Sequence, residues 1–429
     1  MLFKDITIVD ENFEVKGHMY VGTKDDRIAY VSDKMPHEDY GEVYEGKDRL
    51  LIPAFYNAHS HLPMFLLRGY AENLPLMQWL QGKIFPFEAH LSHDDMYYGA
   101  LMGVAEMLRY GIAGTQEMYL NEDADAKAII ESGVKAVVSR SVTWMDAVSY
   151  YDIPEYFNTL EAIKAYHGSA EGRLKIEFCL HAEYTNTERI ATELAIAAAE
   201  NNSSIHVHVS ESAGEVDMCR KRHDGRSPVK FLADCGLFNV PAVAAHCVHV
   251  DDEDIAILKE HNVTVATCPK SNAKLASGIC PVSKLLDAGV NVAIGTDSVA
   301  SNNNLNMIEE MRFMNLLQKG INYDPTLITP KQTLYAATRA GALAQLREDC
   351  GLIKEGFKAD LTVFDTDKVY MKPNHNVLNN LIYSASGNDV VMTMVDGKVL
   401  YKDGEYTTLD VERINYECEK SASRILGEL

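Results

Sequence analysis

Two histidines separated by a single residue, His59 and His61, close the apolar run LIPAFYNA. On an extended backbone, side chains two positions apart point to the same side, so both imidazoles can bind one metal ion. The segment SIHVHVSE repeats the arrangement: His208 closes an apolar run, and Glu211 follows three residues later. Either segment alone is also compatible with packed or surface histidines. Their repetition favours metal ligands.

Three further apolar runs end in a residue that can bind a metal ion or a proton. They are the runs before His181, before His246 and before Asp297. Each alone would also fit a polar residue at the rim of a sheet, but together they predict one site. Three imidazoles and one carboxylate, His59, His61, His208 and Asp297, suit Zn²⁺ or Fe²⁺, and such ions lower the pKa of a bound water.

The remaining polar groups suggest how protons would move. Glu211 is not an obvious ligand but lies near the metal, so we predict that it carries protons between the attacking water and a ring nitrogen. We expect His246 to orient or polarise the attacking hydroxide. His206 faces the same side as His208 but one layer deeper, and we predict that it packs in the core.

Eight apolar runs, each followed by a helical pattern or a long loop, predict the elements that carry these residues. Eight such units are typical of a (β/α)₈ barrel, whose catalytic groups sit at the carboxyl ends of the strands. A doubly wound open sheet is the alternative, but no GxGxxG follows the first run. The runs are LIPAFYNA, IAGTQEM, VKAVVSR, LKIEFCL, SIHVHV, AVAAHC, VTVATC and NVAIGT.

Local signals support the helices and the terminal strands. Ser92 followed by Asp95 predicts a helix start, Gly111 lies at the end of that helical pattern, and Thr329 with Pro330 predicts another helix start. Both ends of the chain alternate short apolar runs with turn residues, which predicts small antiparallel strands there.

Composition excludes several classes of partner. The 429 residues carry a formal charge of −22, which disfavours nucleic acid and anionic membrane surfaces. No apolar run approaches the roughly 18 residues that a spanning helix requires, and Lys4, Asp5 and Asp10 interrupt any leader-like stretch. We therefore expect a soluble, cytoplasmic protein without disulfides, since the eight cysteines are scattered. The sequence leaves open whether it forms a homo-oligomer.

The chain resembles the methylthioadenosine/S-adenosylhomocysteine deaminase group of the amidohydrolase superfamily over nearly its whole length. The resemblance implies a catalytic (β/α)₈ barrel at 51–354 and a small β-sandwich formed by 1–50 and 355–429. The matching segments are LIPAFYNAHSHLPM, PLMQWLQGKIFPFEAHL, IHVHVSE, AAHCVH, CPKSNAKLASGICPV, VAIGTDSVASNNNLNMIEEM and AATRAGALAQLREDCGLIKEGFKADLTVFD.

The same resemblance implies roles for individual residues. His59, His61, His208 and Asp297 would hold one divalent metal, zinc first, with Fe²⁺ or Mn²⁺ as alternatives. Glu211 would be the proton shuttle, with His246 and Asp297 beside the attacking hydroxide. The expected substrate contacts are Glu88 on the ribose hydroxyls, His181 on the purine, Arg140 on the substrate tail, and Trp79 and Glu211 in the same pocket.

The chain departs from the group's pattern at two places. His181 is followed by Ala182, Glu183, Tyr184 and Thr185, where the resembling sequences usually carry a serine and a proline. No arginine lies between Arg140 and Arg173, so the second cation expected for an amino-acid carboxylate is missing and a smaller nucleoside is a rival substrate. No lysine ends the fourth run to carry a bridging carbamate, which favours a single metal.

These residues together predict hydrolytic deamination of an adenine nucleoside: methylthioadenosine, S-adenosylhomocysteine, adenosine or 5′-deoxyadenosine. A different ring, such as guanine, a pterin or a chlorotriazine, is the alternative within the same chemistry. A non-catalytic binding protein on the same fold is the alternative from another class. It is disfavoured because buried polar groups are costly to keep without a function.

Overall fold

The computed structural model describes residues 1–146 and 148–429, and its strands form two sheets. The first, at the chain ends, has the order β17-β16-β15-β14-β5-β1-β2-β3, with β4 paired to β1. The second runs in sequence order from β6 to β13. The strands are β1 (Leu2–Val9), β2 (Val15–Lys24), β3 (Arg27–Ser32), β4 (Val43–Glu45), β5 (Arg49–Pro53), β6 (Phe55–Ser60), β7 (Ile112–Tyr119), β8 (Lys135–Arg140), β9 (Leu174–Ala182), β10 (Ile205–Val209), β11 (Ala242–His246), β12 (Thr264–Thr267), β13 (Asn291–Ile294), β14 (Leu361–Asp365), β15 (Val390–Val395), β16 (Lys398–Lys402) and β17 (Glu405–Tyr406).

The eight strands β6 to β13 are parallel and close into a barrel. The closure is made by the backbone carbonyl of His59, which accepts from Thr296 N at 3.1 Å and from Asp297 N at 3.0 Å. The predicted fold class is therefore confirmed, and each of the eight predicted runs contributes one strand to the barrel. Parallel closure brings every carboxyl end to one rim.

Helices surround the barrel, and the two predicted helix starts are present. Ser92 and Asp95 form a capping box that opens α3, and Thr329 and Gln332 form another that opens α14. The α-helices are α1 (Leu76–Trp79), α2 (Phe85–Glu88), α3 (His93–Arg109), α4 (Glu122–Ser132), α5 (Pro154–Tyr166), α6 (Glu188–Glu200), α7 (Ala213–Arg222), α8 (Pro228–Asp234), α9 (Asp252–Glu260), α10 (Pro269–Lys274), α11 (Val282–Asp287), α12 (Val299–Asn302), α13 (Met307–Asn322), α14 (Pro330–Ala337), α15 (Arg339–Ala344), α16 (Val377–Tyr383) and α17 (Val411–Glu428).

Short turns of tighter or wider helix complete the chain. The π-helical turn Leu80–Ile84 joins α1 to α2, and these three elements cover the barrel rim. The 3₁₀ turns are Leu62–Leu67, Tyr150–Asp152, Ala170–Gly172, Glu183–Thr185, Leu237–Asn239, Val369–Met371 and Gly387–Asp389. Among the residues that the structure describes, no helix is both long and apolar enough to cross a membrane.

The run LIPAFYNA is divided between the two sheets. β5 pairs with β1 and β14 in the terminal sheet, and β6 begins the barrel immediately after Ala54. The boundaries of the two domains remain a proposal, and this pairing favours placing the first one after Pro53 rather than after Leu50. The final helix α17 packs on α3 of the barrel, so the C-terminal segment contacts both units.

Candidate metal centre and active site

The four predicted metal ligands converge at the carboxyl rim of the barrel. His61 Nε2 lies 3.3 Å from Asp297 Oδ1 and 3.3 Å from His208 Nε2, and His59 Nε2 lies 3.7 Å from Asp297 Oδ1. Four atoms placed tetrahedrally around one zinc ion, at the usual bond lengths, would be roughly 3.3–3.6 Å apart. The spacing of these side chains therefore fits one divalent metal ion.

The hydrogen bonds of the histidines leave the correct nitrogens free for a metal. His61 Nδ1 donates to the Met118 carbonyl at 2.5 Å, and His208 Nδ1 donates to the His181 carbonyl at 2.7 Å. Because a carbonyl can only accept, each ring carries its hydrogen on Nδ1 and keeps a lone pair on Nε2. His59 Nε2 is buried and has no hydrogen-bond partner among the described residues, as expected for a ligand atom.

The protonation states also match a metal site. Burial, followed by the neighbouring histidines, lowers the pKa of His59 and of His208 well below the usual value. Burial alone would raise the pKa of Asp297, but the neighbouring His61 and His246 and the hydroxyl of Ser271 outweigh it, and the net shift is downward. Neutral imidazoles and an ionised carboxylate are the forms that bind metals.

The backbone approaches closely around this centre. A Cβ atom on Gly295 would lie 2.8 Å from the Cβ of His59, so only glycine lets β13 pass this near to β6. His246 and Asp297 have φ angles of 73° and 59°, a left-handed backbone conformation that is strained for residues other than glycine.

Glu211 and His246 face each other beside the four ligands. Glu211 Oε2 lies 3.9 Å from His246 Nε2, and Glu211 Oε1 accepts from the Ser277 hydroxyl at 3.0 Å. His246 Nδ1 donates to Asn272 Oδ1 at 2.9 Å, which leaves its Nε2 directed at Glu211. A carboxylate and an imidazole in this arrangement can exchange protons with a molecule bound between them.

A cavity of about 440 Å³ opens above the ligands, a volume suited to a small organic molecule. Trp79, Glu88 and His181 line it together with Glu211 and His246. Burial raises the pKa of Glu88 to about 7, against the effect of the Tyr119 hydroxyl that donates to it at 2.9 Å. Burial, and then His61 and His246, lower the pKa of His181 to about 4.

Arg140 is the one predicted site residue that the structure places elsewhere. It is not among the residues that line the cavity, and its guanidinium Nε donates instead to the carboxylate of Glu122, which is 2% exposed. A buried carboxylate needs a charged partner, and Glu122 at the start of α4 provides this competing contact. A contact of Arg140 with the substrate tail therefore stays a prediction, and it would require Arg140 to leave Glu122.

Glu183, the unusual residue after His181 and Ala182, points away from the cavity. Its carboxylate accepts from Arg222 Nε at 3.0 Å and from His223 Nε2 at 2.7 Å, at the end of α7. Its neighbours Tyr184 and Thr185 line the cavity. The departure from the usual motif therefore forms an ion pair behind the loop that carries His181.

Several residues that support the site were not predicted from the sequence. Ser271 donates to Asp297 at 2.5 Å, and Asn272 orients His246; both lie on α10, in a segment without periodic polar spacing. His206 was expected to be plain core, yet its Nε2 lies 3.0 Å from His59 Nδ1. Its strand phase, shared with His208, was the one signal that could have revealed this contact.

Comparison with known proteins agrees with this geometry. Residues 50–400 match the model of the amidohydrolase family. The chain is 40% identical over 427 residues to a 5-methylthioadenosine/S-adenosylhomocysteine deaminase of Dictyoglomus thermophilum, covering 99% of each chain. It is 39% identical over 432 residues to the protein of the same name from Caldanaerobacter subterraneus, covering 100% of this chain and 99% of the relative.

Solved structures show the same fold. A zinc-bound adenosine deaminase from Xanthomonas campestris superposes with a TM-score of 0.92 at 30% identity, over 99% of this chain and 98% of that one. A zinc-bound atrazine chlorohydrolase from Arthrobacter aurescens superposes with a TM-score of 0.90 at 20% identity, over 98% and 99% of the two chains. The second similarity shows the fold alone.

Proposed function

The chain belongs to the amidohydrolase family, and we propose that it is a metal-dependent deaminase that hydrolyses the C6 amino group of adenine nucleosides. The observation that carries the proposal is the convergence of His59, His61, His208 and Asp297 beside Glu211, under a cavity of nucleoside size. Relatives named as deaminases of such nucleosides, at about 40% identity over nearly the full length, support it. Zinc is the proposed metal, because the ligand set is rich in imidazole.

The reaction replaces the C6 amino group by oxygen and releases ammonia, so protons must leave water and reach the ring and the amine. A bound divalent metal would polarise the water as a Lewis acid. Glu211 takes one proton from this water and delivers it to the ring nitrogen beside C6 as the oxygen bonds to C6. It then moves the second proton, from the new C6 hydroxyl, to the amino group, and the C–N bond breaks to release ammonia. His246 holds the same water through Nε2, which its bond to Asn272 leaves available.

Substrate recognition is assigned to the other cavity residues. Glu88 accepts hydrogen bonds from the ribose hydroxyls, held in place by the hydroxyl of Tyr119. His181 is neutral at physiological pH and offers a ring nitrogen to the purine, while Trp79 provides an apolar wall.

The chemistry of the cavity wall favours an uncharged, apolar 5′ substituent. Leu76, Met77, Leu80, Phe85 and Met145 line it, and no lysine or arginine does so among the described residues. An amino-acid carboxylate buried there would lose its hydration without gaining a cation. Methylthioadenosine and 5′-deoxyadenosine are therefore the preferred substrates over S-adenosylhomocysteine.

Ammonia release and loss of adenine absorbance test the proposal with zinc-loaded protein. We expect turnover of methylthioadenosine, 5′-deoxyadenosine and adenosine, with the highest kcat/KM for the two apolar tails. No turnover of any adenine nucleoside would overturn the activity. A higher kcat/KM for S-adenosylhomocysteine would overturn only the proposed preference at the tail.

The variant Glu88→Ala tests whether the substrate is a nucleoside or a free base. If Glu88 binds the ribose, the variant loses kcat/KM on nucleosides because a charge-assisted hydrogen bond is removed. Unchanged activity on the best nucleoside would favour a substrate that is only a ring.

We also propose a reducing, cytoplasmic compartment, since all eight cysteines are buried free thiols.

A further inference from the structure

Three histidines are proposed as metal ligands. Two of them are oriented by hydrogen bonds to backbone carbonyls, and the third, His59, is oriented by a side chain. His61 and His208 each donate from Nδ1 to a main-chain carbonyl, at Met118 and His181. At His59 Nδ1 the partner is instead the Nε2 atom of His206, at 3.0 Å. A metal-binding histidine needs its second nitrogen fixed, because that bond sets the tautomer and the ring orientation.

His206 is itself fully buried. It lies on β10 two residues before His208, on the same side of the strand, with its ring edge-on to that of His59. Its Nδ1 has no hydrogen-bond partner among the described residues, and the nearest carboxylate oxygen, Glu177 Oε1 on β9, lies 3.6 Å away and accepts from Gln116 instead. If His59 keeps its Nε2 lone pair for the metal, its Nδ1 carries the hydrogen, and His206 Nε2 at 3.0 Å must be the acceptor.

We propose that His206 is a positioning residue for the metal: its Nε2 accepts the Nδ1 hydrogen of His59 and so presents His59 Nε2 to the ion. The inference rests on the proposed metal site, not on which nucleoside is deaminated. It assigns a function to a histidine whose depth in the barrel otherwise suggests packing alone. His59 Nε2 is left without any other partner among the described residues, as this role requires.

The test is zinc affinity, measured by competition with a chromophoric chelator, so it does not depend on activity. His206→Met keeps most of the volume but removes the acceptor, and we expect the Kd for zinc to rise about 10- to 100-fold, the usual effect of losing such a partner. His206→Gln keeps an acceptor of similar reach and should recover much of that affinity. The absorption spectrum of the cobalt-loaded variants should show the same order of change.

A matched histidine elsewhere provides the control. His261 also bonds through Nδ1, to the carbonyl of Phe238, but lies outside the cavity, so His261→Met should retain the zinc affinity of the unmodified protein. Unchanged affinity in His206→Met would overturn the proposal. Equal losses in His206→Met and His206→Gln would also overturn it, because that result indicates packing alone.

A measurement on the unmodified, zinc-loaded protein keeps the proposal testable if the variants fail to fold. Histidine ring ¹⁵N chemical shifts report which nitrogen carries hydrogen. We expect His206 to be protonated on Nδ1 with an unprotonated Nε2, and His59 to be protonated on Nδ1. A hydrogen on His206 Nε2 contradicts the role. Zinc binding without nucleoside turnover would leave this inference standing while the proposed activity fell.

Discussion

Each group at the site has a partner that fixes it before any substrate arrives. Glu211 is held by the Ser277 hydroxyl, His246 by Asn272, and Asp297 by Ser271 and the backbone of Ser298. Groups held in this way do not need to reorganise during the reaction, which is the main source of electrostatic catalysis. Their individual roles are separable by substitutions that change one property at a time.

Replacing Glu211 by glutamine should separate proton transfer from metal binding. Glu211→Gln keeps the shape and the bond from Ser277 but cannot accept a proton, so we expect kcat to fall about 10²- to 10⁴-fold. Zinc content, measured by atomic emission, should be unchanged, because Glu211 is not among the proposed ligands. Loss of zinc in this variant would contradict its role as the proton carrier.

Glu88 should make substrate binding depend on pH near neutrality. Burial raises the pKa of Glu88 to about 7, so the carboxyl is mostly protonated below that pH and ionised above it. Only the ionised form accepts two strong hydrogen bonds from ribose hydroxyls. We therefore expect KM to fall as pH rises from about 6 to 8.

The variant Glu88→Gln is the control for this pH dependence. The amide does not titrate, so the change of KM between pH 6 and 8 should disappear while a higher KM remains throughout. If the variant keeps the dependence of the unmodified protein, a group other than Glu88 is responsible.

Asp95, at the start of helix α3, takes part in two interactions. Ser92 and Asp95 form its capping box, and Asp95 also accepts from Arg424 of α17. The start of a barrel helix is thereby joined to the C-terminal helix. Its apolar residues pack against the 3₁₀ turn Leu62–Leu67, directly after His61.

Removing the cap should cost stability without affecting chemistry. Ser92→Ala deprives a backbone N–H of its acceptor, so we expect the free energy of unfolding to fall by about 1 kcal/mol. Thermal denaturation followed by circular dichroism measures the effect. Ser92→Thr keeps the hydroxyl and should retain most of the stability. A loss in the threonine variant equal to that in alanine would show that the cap is not the cause.

At the scale of the whole molecule, a buried charge cluster connects the base of the barrel to the terminal sheet. Lys135 of β8 donates to both oxygens of Asp360, at 2.6 and 2.5 Å, and to Asp396 at 2.7 Å. All three side chains are nearly inaccessible. Burial alone would raise the pKa of Asp360, but Lys135 outweighs this effect and keeps it low.

Removing the lysine should destabilise both units together. Lys135→Met leaves Asp360 buried without its cation and leaves Asp396 with only Lys358, 3.6 Å away, and we expect a loss of about 3–5 kcal/mol in the free energy of unfolding. Urea denaturation followed by circular dichroism checks it. Lys127→Met is the matched control: its pair with Asp123 is exposed, and removing such a pair costs about 1 kcal/mol or less. Equal effects in the two variants would contradict the role of the cluster.

The pattern of residues along the chain was sufficient to predict the barrel and the positions that converge at its rim. Alternate residues of a strand face one side, and parallel strands end at one rim. The sequence therefore predicted that four residues are neighbours: His59 and His61 from their spacing, and His208 and Asp297 from their positions at strand ends. The terminal strands were visible for the same reason, because period-two alternation and turn residues are local properties.

Only the tertiary structure decided the contacts that the local spacing of residues does not encode. Arg140 forms an ion pair with Glu122, and Glu183 forms one with Arg222 at the end of α7. The run around Ala54 is divided between two sheets. His206 meets His59 across 147 positions of sequence. In each case the competing partner belongs to another element, so its distance depends on how the whole barrel packs. The residues proposed to bind the metal were therefore readable from the chain, whereas the groups that orient them were decided by the packing of the barrel.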